Sequence, residues 1–422
     1  MISPCRIHRI RTHVDSLPLA LLFAAFLLIS HNEAMGQYGG GGSTSEAGGA
    51  GGGGVPLEIT SGVDLGYDDH VIGSNGAANS NSPTSFFGKE NLVLTYNRAG
   101  EQTEFQMLAI GRFTQYFDVS TDDKDVNLTA SFTHKFTTRL SFRADIYGAY
   151  QTEPNFQSNI GPTNVRAPHF DTNDIFSLTY HWLPRLSTVT SYTFQRIKYE
   201  SSSVSTSAVA VAQDRFQNTL AESLQFSLTK RTSLTGEYRF EVINYDTATS
   251  RDATIHFALA GLDHHLTEHL TINVRGGPSF RFFKDDGSTI NPYAEVKVDY
   301  TGGNHSLTWV TSYGVEQPSQ TLAAGATTLR SGLNLTYDLT SRINLKAGMY
   351  YHHEENQAGT SGTVATTSTG SQDSLHLNLG LKYTINKHFA LHADYEYTNQ
   401  GSAGGAAGYS RNRYFAGVTY KY

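Results

Sequence analysis

Segments in which every second residue is apolar recur along most of the chain, and this two-residue period is the strongest constraint on its fold. In LNLTYDLTSRINLKAGMYY, residues 333–351, Leu333 and Leu335 share one face, and the alternation resumes after a polar break with Ile343 and Leu345. A period of two on both sides of a short polar break predicts a β-hairpin. The pattern leaves open whether the apolar face contacts a protein core or lipid.

The same unit repeats from residue 55 to residue 422. Alternating segments are joined by short polar turns and by long loops in turn, as in the short turn HKFTTRLS and the long loop TEPNFQSNIGPTNVRAPHFDT. Short turns at one end and long loops at the other are typical of bacterial outer-membrane barrels. We count about 18 strands, an even number as in such barrels, near residues 57, 92, 105, 128, 142, 178, 190, 222, 238, 257, 274, 296, 311, 333, 347, 379, 393 and 417.

Three features favour lipid over a soluble core as the neighbour of the apolar faces. The predicted strands run to roughly ten to fourteen residues, about twice the usual soluble length, and this suits a tilted strand that crosses a bilayer. Tyr and Phe concentrate at strand ends, where interfacial aromatic girdles lie. The chain ends in YFAGVTYKY, with Tyr414 and Tyr422 on one face. The predicted fold is therefore an all-β transmembrane, antiparallel, up-and-down barrel; a soluble β-sandwich is the alternative.

Composition excludes several other classes of protein. Charged residues make up 16% of the chain, hydrophobic residues 38%, and the net charge of -7 comes with no basic stripe. We therefore expect no nucleic-acid partner. The single cysteine, Cys5, lies near the N-terminus, so the remaining chain cannot form disulfides, iron–sulfur clusters or thiolate zinc sites.

The N-terminal region divides into two predicted segments. Residues 1–36 combine Arg6, Arg9 and Arg11 with the apolar run LALLFAAFLLIS and the small residues around Ala34, as expected of a signal peptide for export. Residues 37–54, QYGGGGSTSEAGGAGGGG, are predicted to form a flexible tether. The barrel is predicted over 55–422, with both of its ends in the periplasm, short periplasmic turns and long extracellular loops.

The segment VDLGYDDHV, residues 63–71, and turns such as TTRLSFRA and TSRINLKA resemble the outer-membrane β-barrel porin family of Gram-negative bacteria. The first segment is similar to the aromatic-Asp-Asp-Asn sequence that closes the first strand in that family, with His70 in place of Asn. The end of the chain, Tyr414 to Tyr422, resembles the C-terminal strand that the barrel assembly machinery recognises in outer-membrane proteins. The resemblance implies a barrel in the outer membrane and no single function.

The non-apolar face of the strands carries frequent charges of both signs. Some of them are two residues apart on one strand, as Arg143 with Asp145 or Glu295 with Lys297, and are expected to satisfy one another. A face this charged is expected to line water, and barrels of this size hold an aqueous lumen. The predicted lumen-lining residues are Arg112, Arg143, Asp145, Glu237, Arg239, Glu241, Arg275, Arg281, Glu295, Lys297, Asp299, Arg330, Lys346, Lys382, Asp394 and Glu396.

The predicted function is passive diffusion of small hydrophilic solutes through this lumen. The alternative is a non-conducting barrel, structural or accessory to the export of a surface polysaccharide, whose lumen is closed by the loops after Tyr150 and Tyr351. No catalytic residue, metal site or cofactor is expected. Three sets of residues have side chains that metal or catalytic sites use, and they are better explained as solvated or lumen-lining residues. These sets are His352-His353-Glu354-Glu355, the acidic stretches TDDKD and Asp285-Asp286, and His376 with His392 and Asp394.

Glu222 disagrees with the pattern, because it shares a face with Leu220, Leu224 and Phe226 near the expected middle of the membrane. A lipid-facing carboxylate, a bulge that turns it inward, and contact with another subunit all account for it. The oligomeric state, monomer or homo-oligomer, is left open by the sequence.

Overall fold

A computed structural model describes residues 57–71, 82–152, 168–200, 213–247, 249–284, 287–317, 325–357, 370–401 and 408–422. The predicted signal peptide and tether lie outside these ranges, as do Asp285 and Asp286. Within these ranges no helix is long and apolar enough to cross a membrane.

The described residues form eighteen strands and a short 3-10 helix, Thr249–Arg251. The strands are β1 Leu57–Asp68, β2 Ser85–Ala99, β3 Thr103–Tyr116, β4 Asp122–Lys135, β5 Leu140–Gln151, β6 His169–Leu183, β7 Leu186–Tyr199, β8 Arg215–Ser227, β9 Thr232–Tyr245, β10 Ala253–His265, β11 Leu270–Phe283, β12 Ser288–Thr301, β13 His305–Glu316, β14 Gly325–Asp338, β15 Ile343–Gln357, β16 Ser371–Thr384, β17 Phe389–Gln400 and β18 Tyr409–Lys421. Each of the predicted strand positions lies in a different one of these strands.

The strands close into a barrel. Each strand pairs antiparallel with its neighbours in the sequence, as β2 does with β1 and β3. The last strand returns to the first, and β18 pairs with β1 from Thr60↔Lys421 to Asp68↔Arg413. We call this β18–β1 junction the seam. The predicted closed antiparallel barrel of about 18 strands is confirmed.

Connections differ in length at the two ends of the barrel. One end, which we call the short-turn end, holds residues 100–102, 136–139, 184–185, 228–231, 266–269, 302–304, 339–342 and 385–388. At the other, the long-loop end, are the strand ends that the chain connects through 69–84, 117–121, 152–168, 200–214, 246–252, 284–287, 317–324, 358–370 and 401–408. Since β1 begins and β18 finishes at the short-turn end, both ends of the barrel segment lie there.

A repeated side chain-to-backbone contact builds the short turns. In the turn after β14, Thr340 Oγ1 accepts hydrogen bonds from the backbone N–H groups of Arg342 and Ile343. These contacts replace ladder hydrogen bonds that the turn cannot make, which is why a short polar residue at this position favours a tight reversal. The same contact is made by Thr137, Thr229, Thr267 and Asn386.

The hairpin of β14 and β15 shows which way the apolar faces point. Leu335 pairs with Ala347, and Leu345 pairs with Leu381, whose side chain is 44% exposed. Paired residues share a face, so Leu335 and Leu345 lie with Leu381 on the outer, convex surface. The opposite face is concave, because side chains of strands three apart meet on it, as described below. The apolar face of this hairpin thus faces the membrane side of the wall.

Strand β10 departs from this rule. Its concave face carries Ile255, Phe257 and Leu259, which are buried and pack with Ile243 and Tyr245 of β9. Alternation separates two faces but does not identify the outer one, and on β10 the more apolar set points inward. The general expectation that the apolar face contacts lipid is therefore wrong for this strand.

Candidate functional site

The candidate site is the concave face of the wall. The strand registers place every predicted lumen-lining residue on this face. Their role in solute passage stays a prediction. Strand by strand they are Arg112 on β3, Arg143 and Asp145 on β5, Glu237, Arg239 and Glu241 on β9, Arg275 and Arg281 on β11, Glu295, Lys297 and Asp299 on β12, Arg330 on β14, Lys346 on β15, Lys382 on β16, and Asp394 and Glu396 on β17.

Four of these residues form a compact group that we call the β9–β12 cluster: Glu237, Arg239, Arg275 and Glu295. Arg239 pairs with Glu237 on its own strand and reaches Glu295, three strands away, at 3.0 Å. Arg275 lies between them, 3.3 Å from Glu237 and 3.4 Å from Glu295. The Tyr293 hydroxyl donates to Glu295 at 2.7 Å. Contacts between strands so far apart require a concave surface, since an outer face would splay the side chains.

Other charged residues of the wall also pair. Arg143 donates to Asp145 at 2.6 Å, as expected from their spacing. Of the second expected pair, Glu295 contacts Arg239 and Arg275, and Lys297 lies 2.9 Å from Asp299. Arg275 is directly opposite Glu295 on the neighbouring strand, and opposite positions on one face of a sheet are close enough for their side chains to interact.

A second group, the seam cluster, joins β17, β18, β1 and β2. Asp64 accepts a hydrogen bond from the His392 ring at 2.8 Å and lies 3.1 Å from Lys89. The His392 and Asp64 side chains meet over Gly417, where a Cβ atom would lie 2.0 Å from an Asp64 carboxylate oxygen. Glycine is therefore required at this position of β18 for the two side chains to touch.

The seam cluster continues towards the long-loop end with a second set of contacts. Arg411 donates to Asp68, and Arg413 lies 3.4 Å from the same carboxylate. Arg411 also reaches the Tyr116 hydroxyl on β3 at 3.3 Å. Sequence reasoning missed both arginines, although a signal existed: the alternation of YFAGVTYKY, continued backwards, places Arg413 and Arg411 opposite the face of Tyr414.

A third group lies at the long-loop end, where Arg215 and Arg251 face the ring of Tyr245 and Arg281 shares the partner Gln317 with the Tyr245 hydroxyl. The Arg251 guanidinium stacks on this ring at 4.2 Å, and burial lowers the pKa of Arg251. Arg281 and the Tyr245 hydroxyl both donate to Gln317, at 2.9 and 2.7 Å. Sequence reasoning placed Arg281 in the lumen but missed Arg215 and Arg251, which lies in a connection with no alternation to read.

Burial changes along the barrel axis. Concave-face residues near the long-loop end are closely packed: Arg281 and Glu354 are each 1% exposed, and Arg215 is 3% exposed. Towards the short-turn end, Lys346 and Lys382 on the same face are only partly buried. On β11 and on β14 to β16 the concave face is therefore more tightly covered in the half nearer the long loops.

The constellations that suggested chemistry come together in part: His352 lies 3.9 Å from Glu354, and His392 lies 3.8 Å from Asp394. In β15, His352 and Glu354 lie on the concave face, and His353 and Glu355 on the outer face. His376 shares a hydrogen bond with Thr398, and His392 with Asp64. In TDDKD, Asp123 and Asp125 accept hydrogen bonds from Tyr116 and from the backbone of Thr152. Among the described residues, no three His, Cys, Asp or Glu side chains are grouped as a metal site would require.

Glu222 lies on the outer face, exposed to the surroundings of the barrel. Its neighbours across the ladders are Thr190 on β7 and Tyr238 on β9. The Thr190 hydroxyl donates to its carboxylate at 2.5 Å. The structure thus excludes the bulge that would have turned Glu222 into the lumen.

Solved structures similar to this chain include OccK5 (OpdH), OpdL and the siderophore receptor PirA. OccK5 (OpdH) of Pseudomonas aeruginosa is 14% identical, with 87% of this chain and 98% of that chain covered and a TM-score of 0.40. OpdL of the same organism is also 14% identical, with coverages of 86% and 99% and a TM-score of 0.40. The siderophore receptor PirA of P. aeruginosa is 10% identical, with coverages of 86% and 80% and a TM-score of 0.37. Scores this low carry no inference about function.

The family comparison is decisive, whereas no curated protein sequence matches the chain. The model of the family described as "Putative beta-barrel porin 2" matches residues 63–422. This range includes the closed barrel from within β1 to the last residue, and with it every residue of the concave face discussed above. The chain therefore belongs to this family of outer-membrane β-barrel porins.

Proposed function

We propose that this protein is an outer-membrane channel through which small hydrophilic solutes diffuse passively. The observation that supports this most directly is the run of mixed charges on the concave face, from the β9–β12 cluster to the seam cluster. Charged side chains on an enclosed face are costly unless they meet water or each other, and the partly buried Lys346 points into the same enclosed space. Barrels of 16 to 18 strands are wide enough to hold water.

The charge pattern also suggests what such a channel would select. Most cations of the wall lie beside a carboxylate, so the lumen presents alternating dipoles rather than one dominant sign. Lining charge and diameter are what set the selectivity of pores. We therefore expect weak ion preference and passage of polar solutes generally, with no energy input and no catalytic step.

Planar-bilayer recording tests the proposal. Purified protein in concentrated KCl should give stepwise conductance increases, and vesicles containing it should swell in small sugars but not in large ones. A barrel that resists unfolding in detergent, as a folded barrel does, yet gives no conductance at any voltage would contradict the channel.

The second candidate is a non-conducting barrel, either structural or accessory to export of a surface polysaccharide. It is supported by the packing of Arg281, Glu354 and Arg215 near the long-loop end. The same recordings separate the two candidates, because a closed barrel gives folded protein without current. An Arg281→Ala variant that conducts where the original protein does not would locate the closure at this group.

We further propose the placement of the barrel. The predicted signal peptide directs export, the short turns and both ends of the barrel face the periplasm, and the long loops face outward. Assembly would proceed through recognition of the strand Tyr414 to Tyr422 by the barrel assembly machinery. Protease added to intact cells should cut epitopes inserted after Glu200 and spare those inserted after Gly303; the reverse result would invert the orientation.

A further inference from the structure

The outer face of β8 and β9 carries a ridge of large side chains. Leu220, Leu224 and Tyr238 are 53%, 50% and 50% exposed, and Glu222 lies between the two leucines. Glu222 and Tyr238 are paired across the two strands. The ridge is therefore apolar except for one carboxylate near the middle of its strand.

A shallow groove runs beside this ridge. The small residues Gly236, Ala260, Gly276 and Ala294 follow one another across β9, β10, β11 and β12 at the same level of the wall. Leu224 of the ridge pairs with Gly236, the first of them. A Cβ atom added at Gly236 would meet nothing within 4 Å. The groove is thus open on the outside, with bulky side chains at its edge.

Lipid is a poor neighbour for this surface. An acidic side chain facing the hydrocarbon costs free energy that increases towards the membrane centre, and Glu222 has one intramolecular donor in the described residues, Thr190. Acyl chains make no specific contact that requires a groove of small residues, whereas small residues allow two protein walls to approach closely.

The opposite side of the barrel is different. At one level of β14 to β17 the outer face presents Leu335, Ala347, Leu379 and Tyr395, bulky side chains with a single small one and no charge. That surface suits acyl chains as it stands. The row of small residues beside a carboxylate therefore distinguishes the outer face of β8–β12 from that of β14–β17.

We infer that the outer face of β8–β12, from Leu220 to Ala294, is covered by a second copy of this chain. A ridge and a groove that lie side by side on one surface are self-complementary, which an interface between identical copies requires. The ridge of each copy fills the groove of the other copy. The patch also carries His256 on β10, whose Nδ1 shares a 2.7 Å hydrogen bond with the Tyr238 hydroxyl; when Nδ1 accepts that bond, the proton of the neutral ring is on Nε2, which can donate to a carboxylate.

The first experiment fills the groove. In Gly236→Leu the new side chain points into open space, so the barrel should fold, but the ridge of a second copy is blocked. Gly111→Leu on the outer face of β3 is the matched control, because a Cβ there also meets nothing within 4 Å. Light scattering in mild detergent should give the mass of at least two copies for the original protein and for Gly111→Leu, and the mass of one copy for Gly236→Leu. On a gel run without heating, Gly236→Leu should migrate as the folded original barrel does, which shows that the variant folds.

The second experiment uses cross-linking in the outer membrane. The only cysteine of the chain is Cys5, within the predicted signal peptide, so single cysteines can be introduced without background. Leu224→Cys treated with a short bismaleimide should give cross-linked dimer several-fold more abundantly than Leu379→Cys on the opposite side. A single-copy mass for the original protein, or equal cross-linking at the two sites, would overturn the inference without affecting the proposed channel.

Discussion

Arg411 on β18 holds both carboxylate oxygens of Asp68 on β1, each 3.0 Å from its Nε atom. Both side chains are buried, and Arg413 lies beside the same carboxylate. The contact spans the seam, where the last strand of the barrel meets the first. Closure therefore rests on a buried ion pair in addition to the backbone ladder.

Removing the carboxylate at the seam should destabilise the barrel strongly. Asp68→Ala removes the carboxylate that Arg411 holds, while Arg413 keeps Glu396 at 3.5 Å, and breaking a buried pair of this kind costs about 3–5 kcal/mol. The control is Asp145→Ala, which removes the partner of Arg143 from a more exposed pair and should cost at most about 1 kcal/mol. Urea unfolding in detergent micelles measures both, and equal losses for the two variants would refute a special role of the seam.

Gly417 gives a second test of the same region. Gly417→Ala places a methyl group against Asp64 and His392, and overpacking of this kind costs about 1–3 kcal/mol. Gly111→Ala is the matched control, since nothing lies within 4 Å of the added atom; reduced freedom of the unfolded chain should stabilise it by roughly 0.4–1 kcal/mol. The opposite ranking of the two unfolding midpoints would show that His392 and Asp64 do not depend on this glycine.

Most of the fold could be predicted from the sequence because each wall residue contacts one of two very different surroundings. Alternation records that difference locally, which is why all strand positions and the side of Leu335 and Leu345 were predicted. It does not say which face is outer when both are mixed, and for that reason the general expectation of an apolar outer face fails on β10. The pairing of Asp68 with Arg411 has no local signal, since it joins the two ends of the barrel.

The candidate site was predictable to a similar degree. The period of two shows which charged residues share the concave face, but the partner of a charge on another strand depends on how the strands are aligned. Arg143 with Asp145, two apart on one strand, was therefore predicted, whereas Arg239 with Glu295, on strands three apart, was not. Arg251 lies in a connection without alternation, and its inward position depends on the ring of Tyr245. The local sequence pattern shows on which face of the wall a side chain lies, whereas contacts between distant strands form only because the sheet closes into a barrel.

Arg239 should influence ion selectivity if the lumen conducts. Arg239→Gln removes the cation between Glu237 and Glu295 and leaves Arg275 as their neighbour in the cluster. The local potential becomes more negative, so the reversal potential in a KCl gradient should shift towards cation preference. Glu90→Gln, on the exposed outer face of β2, is the control and should leave the reversal potential unchanged. A shift with Glu90→Gln, or none with Arg239→Gln, would place the ion path elsewhere.

Two aspartates outside the strands, Asp214 and Asp246, should make the stability of the barrel respond to pH in opposite directions. Burial raises the pKa of Asp214 above its ordinary value, although the backbone N–H of Tyr199 donates to it at 2.8 Å. A raised pKa means that the folded state binds the proton more tightly, so the ionised group costs stability at neutral pH. That cost is absent below the unfolded pKa of about 3.9 and develops as the pH rises through the folded pKa. Asp214→Asn should therefore be more stable than the original protein at pH 7 and equal to it near pH 3.

Asp246 provides the reverse case in the adjoining connection. Hydrogen bonds from Arg196 at 2.7 and 2.5 Å lower its pKa. The stabilisation is present above the unfolded pKa and is lost as the pH falls through the folded pKa. Because the pair is partly exposed, Asp246→Asn should cost at most about 1 kcal/mol at pH 7, with the difference disappearing in acid. Urea unfolding of both variants across pH 3 to 7 checks the signs, and two curves that deviate in the same direction would contradict the contrast between a buried and an ion-paired carboxylate.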